Sequence, residues 1–226
     1  MKKIGLVGGI SWVSTLDYYR LINEGINHEL GGLNFAECLL YSLNFAQVQE
    51  VGWEQAYPLL REACVSLKRG KADAIALCAN TAHLFADQLL ADLQLPFIHI
   101  VTETAKALRR GGHTTIGLLG TKFTMELPFY HEGLAAVGIT MLTPQPQATR
   151  DYIQFTVKEE LGRGLLRPET KARYIAIGQE LVNQGATALV LGCTEIPLLL
   201  SQADFVVPVF DTVQIHAAAI VEYMLS

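Results

Sequence analysis

The sequence predicts an α/β protein built as two similar halves, each a parallel sheet covered by helices. Three observations carry this. Short apolar runs alternate along the chain with segments of helical periodicity, the pattern of parallel strands joined by crossover helices. Two strand-and-turn segments recur in the same order. Thr115-Ile116-Gly117-Leu118-Leu119-Gly120-Thr121 repeats Lys3-Ile4-Gly5-Leu6-Val7-Gly8-Gly9 after 112 residues, and Ala188-Leu189-Val190-Leu191-Gly192-Cys193 repeats Ala74-Ile75-Ala76-Leu77-Cys78-Ala79 after 114. Two matches in register indicate internal duplication. Finally, 50% of the residues are hydrophobic and 17% charged, which is ample for a packed core.

The elements follow in order. Residues 4–7 form a first strand that ends in Gly8-Gly9, and Ser14 or Thr15 is the expected cap of a helix reaching about Leu30. Residues 37–41 read as a second strand. A helix is expected over 58–69, with Leu59, Leu60, Ala63 and Leu67 near helical spacing. A buried strand over 74–77, a helix over 82–93 and a strand over 97–101 complete the first series. The halves are then 1–100 and 101–208, with 209–226 crossing back onto the first. No Gly/Pro/Ser-rich spacer separates them near Val101. Open parallel sheets bind ligands at the carboxyl ends of their strands. The active site is therefore expected in the cleft between the halves.

Composition excludes several function classes. The net charge is −5 and no block of Lys/Arg occurs, which argues against nucleic acid and against a membrane surface. No run reaches the roughly 18 apolar residues of a membrane span. The basic start at Lys2-Lys3 leads into an apolar stretch that glycine soon breaks, with no small-residue cleavage site after it. A cytoplasmic protein is expected. Cys38, Cys64, Cys78 and Cys193 form neither CxxC nor a zinc-like Cys/His spacing, so no metal is implied. Cys38 and Cys64 fall in an expected strand and helix and read as core. Dinucleotide, P-loop and nucleophile-elbow motifs are all missing.

Four turns follow buried strands and open helices: Gly8-Gly9-Ile10-Ser11, with Thr15 one turn on; Cys78-Ala79-Asn80-Thr81-Ala82-His83; Gly120-Thr121-Lys122-Phe123-Thr124; and Gly192-Cys193-Thr194-Glu195-Ile196-Pro197. Backbone N–H groups and hydroxyls at such turns suit a small carboxylate or phosphate. Ser, Thr and Asn are equally ordinary helix caps there. Cys193 stands apart, because a thiol at a helix N-terminus is expected to have a lowered pKa and to act as a reactive thiolate.

Taken together, Gly8 to Thr15 with Tyr18-Tyr19, Asn80-Thr81-Ala82-His83, Gly192 to Leu199 and Val209-Phe210-Asp211-Thr212 resemble the aspartate/glutamate racemase family over essentially the whole chain. Ser11 to Thr15 and Asn23-Glu24-Gly25-Ile26 resemble its broad-specificity amino-acid racemase branch. The resemblance implies a homodimeric, cofactor-independent racemase of amino acids. One acid/base group from each half, usually a cysteine, then serves opposite faces of Cα. Cys193 matches the second cysteine. The position of the first is Ala79, and the internal repeat gives the same assignment. Cys78, one step earlier, faces the other side of its strand by alternation. Cys78, Thr81 and His83 are the candidates to fill the vacancy. Gly9, Ile10, Ser11, Thr15, Ala79, Asn80, Thr81, Thr121, Thr124, Thr194 and Glu195 are the expected substrate-binding residues.

Dicarboxylate-specific members hold the distal carboxylate with basic side chains. The loop over 44–53 has no Arg or Lys, leaving Lys122, Lys158 and Arg163 as candidates or as ordinary surface charges. Aspartate, glutamate and a broader set of amino acids all remain open as substrates. Two other readings also remain open. A single cysteine suffices for a decarboxylase or isomerase of small carboxylates, as in the arylmalonate decarboxylase relatives. A non-catalytic carboxylate-binding protein would need no thiol at all.

Overall fold

The computed structural model describes residues 1–226. In chain order the elements are β1 (Ile4–Gly8), α1 (Trp12–Leu30), β2 (Cys38–Ser42), α2 (Phe45–Val51), α3 (Tyr57–Arg69), β3 (Ala74–Leu77), α4 (Ala86–Leu93), β4 (Phe97–Ile98), α5 (Ile100–Arg110), β5 (Thr115–Gly120), α6 (Lys122–Glu126), α7 (Pro128–Ala135), β6 (Thr140–Leu142), α8 (Gln147–Glu159), α9 (Pro168–Asn183), β7 (Ala188–Gly192), β8 (Val209–Asp211) and α10 (Thr212–Leu225). They form two compact units. Half 1 is Met1–Ile100 with Val213–Ser226, and half 2 is Val101–Thr212. No helix is long and apolar enough to cross a membrane.

Each half holds a four-stranded, all-parallel sheet. The orders are β2-β1-β3-β4 and β6-β5-β7-β8, the same order taken twice. The register repeats as well, with Ile4 opposite Ala74 in one sheet and Ile116 opposite Ala188 in the other. β1, β3 and β7 are buried along their whole length, as central strands covered on both faces must be.

Local departures from the sequence reading have physical causes. Ser11, not Ser14 or Thr15, caps α1, because its Oγ accepts the Ser14 N–H. Thr15 is used differently: its hydroxyl accepts the Gly9 N–H and donates to the Ser11 carbonyl. The expected helix over 82–93 starts as a 3₁₀ turn, Thr81–Phe85, before α4. The His83 ring takes the Ala79 carbonyl at 2.9 Å, and the backbone tightens to an i→i+3 bond from the His83 N–H to Asn80. The strand expected over 97–101 stops at Ile98, since Val101, Ala105 and Leu108 already lie on the buried face of α5. Residues 45–51, expected as loop, form α2 with Asn44 as cap. Residues 209–211, expected with half 1, pair with β7 as the last strand of the second sheet.

From Val213 onward α10 belongs to half 1. Val213, Ala217, Ile220, Val221 and Met224 pack against Ile4, Leu6, Tyr18, Ile22 and Ile26. Each large aliphatic side chain fully buried this way contributes about 1.5–3 kcal/mol. A polar tether adds direction. Tyr18 donates its hydroxyl to His216 Nδ1 at 2.8 Å, and His216 Nε2 donates to the Ile98 carbonyl at 2.7 Å. The two bonds fix a neutral imidazole with its proton on Nε2. Burial lowers its pKa to about 4, with nearby His99 acting in the same direction.

The end of β1 is shaped by close approach. A Cβ on Gly8 would lie 2.4 Å from Thr15 Cγ2. Gly9 has φ +85°, and a Cβ there would lie 2.2 Å from the Leu43 carbonyl oxygen.

Two outcomes follow. Gly9→Ala should destabilise the fold by at least about 2 kcal/mol, read as a lower midpoint in urea. The lowered pKa of His216 means that the unfolded chain binds a proton that the native state refuses. Stability should therefore fall as the pH drops from about 6.5 towards about 4, by up to about 3 kcal/mol from this group. Urea titrations across that range should show the loss, and His216→Gln, which cannot titrate, should make it shallower.

Candidate active site

In half 2 the central strands end bare. Gly120 pairs with Gly192 across β5 and β7, and a Cβ on Gly120 would lie 3.0 Å from the Gly192 carbonyl oxygen. Thr121 caps α6 by accepting the Thr124 N–H, and the two hydroxyls lie 2.9 Å apart. Cys193 follows β7 directly and is 5% exposed. Its thiol donates to Glu195 Oε2 at 2.9 Å, and the Thr194 hydroxyl donates to the same oxygen at 2.8 Å. Thr194 and Glu195 are themselves buried.

The expected lowering of the Cys193 pKa is corrected here. Burial pushes it well above the ordinary thiol value, and the Glu195 charge and hydrogen bond act in the same direction. The backbone N–H groups of Glu195 and Thr194 oppose this without overcoming it. The helix invoked for the lowering is a single 3₁₀ turn, Ile196–Leu198, too short for a substantial dipole.

In half 1 the corresponding turn differs. The shared register makes Ala79 the counterpart of Cys193, and Cys78 the counterpart of Gly192. A side chain at this latter position points into the core. A Cβ on Gly192 would meet Leu118 at 2.7 Å, and Cys78 itself packs in the cluster with Leu6 and Tyr18. Cys78 is 1% exposed, and burial raises its thiol pKa far above the ordinary value. The structure therefore places Cys78 beneath the turn, among apolar neighbours. Ala79, Asn80 and Thr81 form the turn and are buried. His83 is committed to the Ala79 carbonyl through Nδ1, so its side chain supports the turn. Burial first, then His99 and His216 beside it, hold its pKa well below the usual histidine range. Ser14 adds a weaker bond from its hydroxyl to the Cys78 carbonyl, at 3.4 Å. Gly9, Ile10 and Ser11 form the neighbouring turn, with Thr15 bracing it.

The basic side chains are already engaged. Lys122 pairs with Asp151 at 2.8 Å, and Lys158 and Arg163 both pair with Glu159. Sequence reasoning missed Tyr18 and Tyr174 as polar members of the two cores. Tyr174 bonds to the Thr156 hydroxyl at 2.8 Å and lies close enough to Cys193 for their charges to interact. Tyr18 sits with Ile22 and Ile26 on one helical face, a spacing that marks burial but not its hydrogen bond.

Known proteins resemble this chain in sequence and fold. The Asp/Glu/Hydantoin racemase family model matches residues 7–220. The chain is 23% identical over 217 residues to the broad specificity amino-acid racemase RacX of Bacillus subtilis, covering 92% of each. A solved structure from Yersinia pestis, classed as an Asp/Glu racemase, is 42% identical with a TM-score of 0.92, covering 100% of both chains. PH1733, an aspartate racemase homologue from Pyrococcus horikoshii OT3, is 33% identical with a TM-score of 0.85, again over 100% of both. With the match running from β1 into α10, this chain belongs to the Asp/Glu/Hydantoin racemase family.

Proposed function

We propose that the protein racemises amino acids without a cofactor, with Cys193 as the acid/base that serves one face of Cα. The observation that carries this is the thiol at the bare end of β7, buried, bonded to a carboxylate and approached by two backbone N–H groups. An α-proton is weakly acidic, so the negative charge left on removal must be met by hydrogen-bond donors. The hydroxyls of Ser11, Thr15, Thr81, Thr121, Thr124 and Thr194, with the Asn80 amide and the backbone at Gly9 and Ile10, are assigned to the substrate's α-carboxylate and amino group. This assignment of binding residues rests on the family resemblance and on their place at strand ends.

Half 1 offers no thiol at its matching position. Proton delivery on that side is assigned to the Thr81 hydroxyl, directly or through water. Racemisation should then be slower than with two thiols. The substrate is aspartate, glutamate or a broader set of amino acids. The ion pairs of Lys122, Lys158 and Arg163 favour the broader set, since a distal carboxylate would compete with an existing partner. The reading includes a homodimer, implied by the family resemblance alone, and a cytoplasmic location, expected from the sequence alone.

The test is incubation with L- and D-amino acids in D2O. Deuterium at Cα, with inversion read by chiral chromatography, is the expected result, and Cys193→Ala should reduce it by about 10²–10⁴-fold. Exchange without inversion would favour one-faced chemistry on a small carboxylate, consistent with Ala79. No exchange with any amino acid would overturn the reading. Ala79→Cys should raise the inversion rate at least about tenfold, if a thiol is what half 1 lacks.

A further inference from the structure

We infer that Glu195 is a positioning residue that takes the Cys193 thiol proton, so that the two side chains share one proton and act as a unit. This rests on the reading of Cys193 as the acid/base. The geometry is direct. The thiol points at Glu195 Oε2 at 2.9 Å, and Thr194 donates to the same oxygen at 2.8 Å, fixing the carboxylate in place. The three residues are consecutive and each is at least nine-tenths buried. Binding of the substrate was the role expected of Glu195, yet the oxygen named here is committed to its own turn.

The chemistry follows from burial. A thiol in this site holds its proton more tightly than one in water. Losing that proton to bulk solvent would leave thiolate and carboxylate side by side, two negative charges with little screening. Passing it to Glu195 avoids this. The S–H bond breaks, an O–H bond forms on Oε2, and the pair keeps a charge of −1 throughout. The thiolate then forms an S–H bond with the Cα proton as the Cα–H bond breaks, and that electron pair moves onto the substrate carboxylate. The same steps in reverse deliver a proton to this face of Cα when the other enantiomer is the substrate. The titratable groups facing the thiol are Glu195 from its own turn and the Tyr174 phenol from α9, whose pKa is itself raised by burial. The phenol therefore stays neutral, and Glu195 is the acceptor.

A shared proton has a signature that packing does not. While one proton belongs to the pair, the thiolate fraction is independent of pH. The experiment is the rate of Cys193 alkylation by iodoacetamide against pH, read on its own peptide by mass spectrometry. The full-length protein is compared with Glu195→Gln and Glu195→Asp. The wild type should change less than about threefold between about pH 6 and 8, whereas Glu195→Gln should rise about a hundredfold across the same range. Glu195→Asp keeps a carboxylate and should keep the plateau at a lower rate. Parallel hundredfold rises in wild type and Glu195→Gln would overturn the proposal. Cα exchange measured on the same samples separates the two readings. A plateau with no exchange on any amino acid would overturn racemisation and leave the proton pair standing. Exchange without a plateau would do the reverse.

Discussion

The pairing of the first and third strands governs what each half can do. In a parallel ladder every residue is assigned a face, and a shift of one position turns a side chain from core to surface. Ile4 opposite Ala74 and Ile116 opposite Ala188 set that assignment identically in both sheets. From there the chain has one choice at each strand end. In half 2 the core-facing position is Gly192 and the next is Cys193. In half 1 the core-facing position is Cys78 and the next is Ala79. The two thiols stand one residue apart in this frame, and that step separates a sulfur packed in the apolar core from one bonded to a carboxylate in the turn.

The same frame explains why the two halves carry different polar groups. Half 1 invests its buried donors in support. Tyr18, His216 and His83 hold a helix and a turn through carbonyls at Ile98 and Ala79. Neutral imidazoles suit this work, because burial makes their charged forms costly. Half 2 has Cys193, Thr194 and Glu195 gathered on one carboxylate oxygen. That arrangement gathers two titratable side chains and a hydroxyl in a buried place, a pattern that concentrates at functional sites.

Much of this was legible in the sequence. The apolar runs at Ile4 and Ala74 and their repeats located the central strands, because fully buried parallel strands leave an uninterrupted apolar signature. Gly8-Gly9 and Gly192 marked the turns at which β1 and β7 end. Short elements were harder. β4 has two residues, and Thr81–Phe85 winds as 3₁₀ because a histidine ring competes for a carbonyl, an effect that periodicity does not encode. Residues 209–211 were grouped with half 1 because the segment to Ser226 carries a helical pattern, and three residues ahead of it do not show that they close the other sheet. At the candidate site, Cys193 was visible from its motif, but its environment was inferred from an N-terminal helix dipole. The structure replaces that dipole with a neighbouring carboxylate, whose direction a sequence two residues long cannot give.

The return of α10 to half 1 has a consequence for how the molecule is made. Half 2 is one continuous stretch, and its last strand is finished at Asp211. Half 1 is not, because Val213, Ala217, Ile220, Val221 and Met224 belong to the core begun by Ile4 and Leu6. Emerging from the ribosome, the first hundred residues carry a sheet with one flank uncovered, and it stays uncovered while the whole of the second half is synthesised. N-terminal segments usually fold first during translation. Here the core begun by the first hundred residues is completed by a helix that lies beyond the whole of half 2, so the sheet of half 1 has full cover only once α10 has packed.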